Sequence, residues 1–433
     1  MSAQRDTLAA IAGALGSGDL QRAGTLLRDA RASMPDDANV RMFDAVLAQR
    51  EGRLDAAVAM LQALAVELPQ VPQIAFHLGN CLKDAGEHLA AQAQYARVLA
   101  LQPGHADAAY NLGVCRVQDD PVQAGPWFVR AARSDFRLHD AYLQLLRCAS
   151  DAAALAPPPR PPAEGIGAQE HISVVTCSVR PERLEKLRAS CEAALAGGPW
   201  ELVHIADARS LCEGYRRGIA RATGTILVLC HDDVRLLAPD FRARLVRHLE
   251  HFDLVGPAGT TRMQGPSIVW GGPPHAHNWV MYPGRVEGTV RVTIASAFGP
   301  VVAGTQALDG LLMAGRRACF ERIGFDAETF DGFHHYDLDF SYRAFRAGLK
   351  LATCQDLLVE HASEGRYDEH WKQYAVAFQR KFPELARAPF SSAPTAYDMD
   401  QVPEQRAIAM LGWIDYWERQ VNAVSPGAQA NAR

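Results

Sequence analysis

Ile226-Leu-Val-Leu-Cys-His-Asp-Asp-Val234 decides how the C-terminal part of this chain is read. Five apolar residues in a row, Ile226 to Cys230, are too few for a helix and do not alternate with polar ones, so they read as a strand buried on both faces. Upstream, Ile172 to Thr176 reads as a strand, and Pro181 to Leu195 as a helix with Leu184, Leu187 and Cys191 on one side. Leu202 to Ile205 is a second strand, Leu211 to Ala222 a helix with Leu211, Tyr215 and Ile219 inward, and Thr225 to Cys230 the third strand. This β-α-β-α-β order implies a mixed, mostly parallel sheet with helices on both faces. Ligands of such sheets bind beyond the carboxyl ends of the strands, where His231, Asp232 and Asp233 stand.

Two carboxylates and an imidazole at a strand end cost desolvation free energy unless something offsets it, and a divalent cation would do so. A solvated turn is the competing reading, because Asp-Asp also favours turns. A second acidic pair lies in Phe333-His-His-Tyr-Asp337-Leu-Asp339-Phe-Ser-Tyr-Arg343. It opens a helix whose Leu338, Tyr342, Phe345 and Leu349 have core-facing spacing. N-capping and the helix dipole alone would account for one of these acids. His361, in Leu357-Leu-Val-Glu-His361-Ala-Ser-Glu-Gly365, follows a further strand and is either a structural histidine or a ligand.

The strand from Ile172, the helix Gly214-Tyr-Arg-Arg-Gly218-Ile-Ala-Arg-Ala-Thr-Gly224, the His-Asp-Asp strand end and the 333–343 segment occur in an order that resembles glycosyltransferases of the GT-A fold, family-2-like. The resemblance spans about residues 170 to 385 and is nearest a bacterial branch with His-x-Asp in place of Asp-x-Asp. It implies a metal-dependent enzyme that moves a sugar from a nucleotide-diphosphate donor to a hydroxyl acceptor with inversion. Carried over by position, it implies that Asp233 and His231 hold the metal, that His361 completes the metal site or contacts the diphosphate, and that Asp232 faces the ribose or metal-bound water. It makes Asp337 the general base, gives Asp339 a supporting place beside the donor, and puts Asp309, before Gly310 and the apolar Leu311 to Ala314, in the donor-sugar and acceptor pocket. Thr176, Arg180 and Asp207, in the loops after the first two strands, would hold the nucleobase and ribose, with Arg180 or Arg217 offsetting phosphate charge. An imidazole among carboxylates shifts the metal preference from Mg²⁺ toward Mn²⁺ or a later transition metal. The loop from Trp270 to Trp279 reads as either an aromatic acceptor lid or an irregular insertion.

The N-terminal third has a different character. Gly18, Gly52 and Gly86 recur at an interval of 34, as do Ala23, Ala57 and Ala91, Leu27, Leu61 and Tyr95, and Pro35, Pro69 and Pro103; Leu78-Gly79 is echoed by Leu112-Gly113. Gly permits the turn between two helices, the small Ala their close approach, and Pro ends the second helix. These residues resemble the tetratricopeptide repeat over about residues 5 to 150, with a drifting fourth unit that has Asp119-Asp120-Pro121 where the turn Gly should be. The periodic residues are core, and the concave groove of the all-α solenoid is the place for a protein partner or protein acceptor. The resulting division is an α plus α/β chain: repeats over 1–150, a Pro-rich linker over 151–169, the transferase domain over 170–390, and a final helix with a disordered tail over 391–433. The linker Ala156-Pro-Pro-Pro-Arg-Pro-Pro-Ala-Glu-Gly165 reads as a polyproline spacer.

The 433 residues are 48% hydrophobic and 21% charged with a net charge of −5, which fits a folded protein and gives no basic field for nucleic acid. Nine scattered cysteines without a C-x-x-C pair point to a reducing cytoplasm. No apolar run reaches the roughly 18 residues of a membrane span. Two other classes remain at this stage: a repeat scaffold with a degenerate domain that binds nucleotide sugar without turnover, and a nucleotidyl transferase, disfavoured by the lack of a Gly-rich triphosphate loop. A homo-oligomer through the repeats is the alternative to a partner protein.

Overall fold

The computed structural model describes all residues except 1, 160–164, 166, 239, 296–298, 364, 366, 388–395 and 425–433. The chain divides into two compact units, Met1–Cys148 and Ala149–Arg433.

The first unit is built from helices Ser2–Ser17 (α1), Leu20–Ser33 (α2), Ala38–Arg50 (α3), Leu54–Glu67 (α4), Pro72–Asp84 (α5), His88–Leu101 (α6), Ala106–Val117 (α7), Pro121–Ser134 (α8) and the start of His139–Leu155 (α9). Gly18, Gly52 and Gly86 take φ of 77°, 79° and 80°, the left-handed turn that a side chain resists. Ala23, Ala57, Ala91, Leu27, Leu61 and Tyr95 are fully buried, and α2, α4 and α6 each end two residues before the periodic proline. In the drifting unit Asp120 replaces the glycine turn by capping α8, its carboxylate accepting from the Gln123 amide at 3.0 Å, with Pro121 as first helical residue. Helix contact is close: a Cβ on Gly113 would stand 2.8 Å from the buried ring of Phe128.

The second unit holds, in chain order, Ile172–Cys177 (β1), Pro181–Ala194 (α10), Trp200–Ile205 (β2), Leu211–Arg221 (α11), Ile226–Cys230 (β3), Val234–Leu236 (β4), Phe241–His248 (α12), Leu254–Gly256 (β5), Ala258–Thr260 (β6), Ala276–Pro283 (β7), Thr289–Ala295 (β8), Val301–Ala303 (β9), Ala307–Leu308 (β10), Leu312–Arg316 (β11), Arg317–Ile323 (α13), Tyr336–Arg346 (α14), Leu351–Cys354 (β12), Val359–His361 (β13), Glu369–Lys381 (α15), Tyr397–Pro403 (β14) and Glu404–Val424 (α16). The first sheet has the order β2-β1-β3-β11-β5-β12-β9. The three strands expected from the sequence are parallel and form one end of this sheet, and all five residues of β3 are buried. Farther along the same sheet β12 is again parallel to β5. β11 runs antiparallel to both β3 and β5, and the second sheet, β10-β6-β7-β13-β4 with β8 paired to β7 and β14 to β8, is antiparallel except where β13 meets β7. The sheet is thus mixed, as expected: β1, β2 and β3, joined by helical crossovers, pair in parallel, whereas hairpins such as β7–β8 pair antiparallel.

Two boundaries also move. α9 runs on to Leu155, and the Ala156 carbonyl accepts from Trp413 Nε1 at 2.9 Å, so the start of the Pro-rich segment is pinned rather than a free spacer; residues 160–164 and 166 of it lie outside the described residues. β14 pairs with β8, and Trp413 and Trp417 of α16 are buried, so residues 397–424 belong to the same unit; residues 425–433, within the expected tail, lie outside the described residues. All nine cysteines are free. No described helix is long and apolar enough to cross a membrane.

Candidate active site

Backbone pairing brings distant segments to the carboxyl end of β3. Leu312 of β11 is paired with Cys230, and the His231 amide donates to the Leu311 carbonyl at 3.1 Å, which lays the 309–311 loop against the His-Asp-Asp motif. On the other flank β13 runs antiparallel to β4 with His361 opposite Val234, and the Ala362 amide donates to the Asp233 carbonyl at 3.0 Å.

As a result His231, Asp233 and His361 each offer a ligand atom, all within 4.8 Å of one another. His361 Nε2 lies 3.3 Å from His231 Nδ1 and 3.3 Å from Asp233 Oδ1. Burial works against charge on Asp233, but His361, Ser363 and His231 outweigh it and hold the carboxyl below its usual range. Burial, and then His361, push the His231 imidazole below its usual range, which keeps it neutral. A carboxylate with two imidazoles is a donor set that suits a first-row transition metal better than Mg²⁺, so the residues present fit the divalent cation implied by the sequence.

Two cavities meet at this group. The first, about 280 Å³, is lined by His231, His361, Asp309 and Asp337 together with Tyr282, Phe333, His335, Tyr367 and Trp371. Asp337, in the first turn of α14, accepts from the Gly310 amide at 2.7 Å, and burial followed by the charge of Asp309 pushes it up to about 7. A carboxylate poised there suits general-base work near neutral pH. The second cavity, about 390 Å³, is lined by Ser178, Arg183, Ala206, Ala208, Asp232 and Asp233, and shares His231 and Phe333 with the first. In it Asp232 accepts from Ser178 Oγ at 2.7 Å, and Arg183 Nη1 lies 3.1 Å from Asp232 and 3.4 Å from Asp233.

His231, Asp232, Asp233, Asp309, Asp337 and His361 are thus brought together. Four expected residues are not. Thr176 is fully buried within β1 and lines neither cavity; the strand ends one residue later, and Ser178 beyond it takes the place facing the cleft. Arg180 is exposed at the N-cap of α10, where its amide donates to Ser178 Oγ at 3.0 Å. Asp207 points away from the second cavity into an exposed pair with Arg217 at 2.6 Å, although its neighbours Ala206 and Ala208 line that cavity. Asp339 is buried on the far side of α14, paired with Arg343 at 2.8 Å and Lys381 at 2.6 Å. Two residues along a helix turn the side chain by about 200°, so Asp337 and Asp339 cannot face one cavity. The 270–279 loop leads into β7, and Trp279 is fully buried and offers no face to a sugar.

Three residues in this cleft escaped sequence reasoning. Arg183 carried a signal, being a cation in the first turn after the loop that follows β1. Trp371 and Tyr336 carried none beyond helical core spacing.

Comparison with known proteins follows the same division. A family described as "Glycosyltransferase like family" matches residues 182–381, and the tetratricopeptide repeat family matches residues 14–76. Among curated proteins, none matches the chain. Similar solved structures include a tetratricopeptide repeat protein from Parabacteroides merdae, 17% identical, covering 36% of this chain and 62% of that one with a TM-score of 0.30. PilF of Pseudomonas aeruginosa is 19% identical, covering 35% and 70% with a TM-score of 0.33. A variant of an O-GlcNAc transferase from Thermobaculum terrenum is 17% identical, covering 50% and 40% with a TM-score of 0.29.

Proposed function

We propose that this chain, a tetratricopeptide-repeat region followed by a glycosyltransferase-like domain, transfers a sugar from a nucleotide-diphosphate donor to a hydroxyl acceptor in a single inverting displacement. The observation that carries the reading is Asp337, raised to about 7 inside the cavity that also contains His231 and His361. Its carboxylate takes the acceptor proton as the hydroxyl oxygen attacks the anomeric carbon. His231, Asp233 and His361 would hold a divalent cation, which when bound offsets charge on the departing diphosphate. Arg183, at the edge of the second cavity, offers a guanidinium to the same phosphates. The two cavities divide the work, the one nearer β1 and β2 receiving the nucleotide and the one nearer α14 the sugar and acceptor. The donor set favours Mn²⁺ over Mg²⁺. The repeats recruit the acceptor or a partner protein along their concave face.

Calorimetry with uridine, guanosine and thymidine diphosphates and their hexose conjugates, with and without Mn²⁺, followed by a donor-hydrolysis assay, tests this. Metal-dependent binding with hydrolysis lost in Asp337→Asn and Asp233→Ala supports transfer. Binding without any turnover points to a scaffold that only holds nucleotide sugar, and full turnover in both variants sinks the mechanism.

A further inference from the structure

One hydrogen-bond chain connects the three-residue group to the base. Tyr336 Oη lies 2.9 Å from the Gly310 carbonyl and 2.8 Å from His231 Nε2. A carbonyl can only accept, so the single hydroxyl proton is directed to Gly310. The phenol oxygen then faces His231 Nε2 as an acceptor, and that nitrogen must carry the proton. His231 Nδ1 is left with its lone pair, and it is Nδ1 that lies 3.3 Å from His361 Nε2, on the side of Asp233. The other end of the chain reaches Asp337, whose carboxylate accepts from the amide of the same Gly310. The arrangement has no slack: a Cβ on Gly310 would stand 2.0 Å from Tyr336 Oη and 2.8 Å from Asp337 Cβ, and Tyr336 is buried.

From this geometry we infer that Tyr336 is a positioning residue which locks His231 in its Nε2–H tautomer, so that Nδ1 is presented to a divalent cation, and which through Gly310 ties that ligand to the base Asp337. The inference rests on the transfer reading above for its purpose, but not for its test. A hydrogen bond to the non-ligating ring nitrogen fixes both tautomer and ring orientation, and its loss typically weakens metal binding 10- to 100-fold. Without the hydroxyl, Nε2–H would be buried without a partner, and the Nδ1–H form would no longer be disfavoured. The cation would then have to displace the Nδ1 proton.

Nitrogen-15 NMR of the metal-free wild-type protein with labelled histidine reads the tautomer directly. A protonated Nε2 and bare Nδ1 on His231 are expected; the reverse overturns the inference without need of any variant. Tyr336→Phe removes one oxygen and keeps the ring. Its His231 resonances should shift toward the Nδ1–H form, and Mn²⁺ affinity measured by electron paramagnetic resonance should fall about 10- to 100-fold while circular dichroism shows the fold retained. Equal Mn²⁺ affinity in Tyr336→Phe and wild type overturns it. Failure of the transfer reading looks different: wild-type protein that holds Mn²⁺ with the expected tautomer, yet turns over no nucleotide sugar, leaves the tyrosine's role in place.

Discussion

Asp337 sits beside Asp309 in the wall of the first cavity, and burial of its carboxyl together with that neighbouring charge raises Asp337 to about 7. Activity should therefore rise with pH through about 7 on the acid limb of a kcat/KM profile. Asp309→Asn removes the like charge and should move that limb to lower pH, while Asp337→Asn should lower kcat by about 10²- to 10⁴-fold. Stability moves in the opposite sense. The folded pKa lies above the unfolded value of 3.8, so the folded state binds the proton more tightly, and the stability from this group is full below 3.8 and lost as pH rises through about 7. Asp337→Asn should accordingly raise the melting temperature at pH 8 and change it little at pH 4, as scanning calorimetry would record.

Metal selectivity follows from the two imidazoles. Titration calorimetry should find Mn²⁺ bound at least about tenfold more tightly than Mg²⁺, since Mg²⁺ demands hard oxygen ligands. His231→Asp restores a carboxylate at the strand end and should narrow that gap. An unchanged Mn²⁺-to-Mg²⁺ ratio in this variant would place His231 outside the coordination sphere.

Arg183 bridges Asp232 and Asp233 across the edge of the second cavity. A cation entering beside Asp233 competes with this guanidinium, whereas a diphosphate gains from it. Arg183→Ala should thus bind Mn²⁺ a few-fold more tightly and a nucleoside diphosphate about tenfold more weakly, a split that loss of folding could not produce.

Asp339 contributes to the fold instead. It is 1% exposed and paired with Arg343 and Lys381, so Asp339→Asn should cost about 2–3 kcal/mol in chemical denaturation, below the roughly 3–5 of a fully buried pair because both cations keep some exposure. Mn²⁺ affinity of the folded variant should match wild type.

What could be read from the chain follows the range of the interactions. The repeats were legible because each glycine, alanine and proline acts within one hairpin, and β1 to β3 because an apolar run such as Ile226–Cys230 needs no distant partner to declare itself. His231 and Asp233 were legible as polar groups at a strand end. The second sheet was not, since β8 finds β14 about a hundred residues later and no local pattern specifies that register. Nor was Tyr336, whose hydroxyl matters only because β11 brings Gly310 beneath it. Asp339 was misassigned although helix geometry alone separates it from Asp337.

The two cavities share His231 and Phe333 and otherwise draw on different stretches of chain. Apart from those and Ser363, the wall of the second cavity comes from residues 177–233, and apart from His231 the first is built from residues 258–371. On the transfer reading proposed above, the residues that select the two substrates lie in separate blocks of sequence. Sequence drift within the later block would then change the sugar or the acceptor while the earlier block continues to take the same nucleotide, with the imidazole as the hinge common to both.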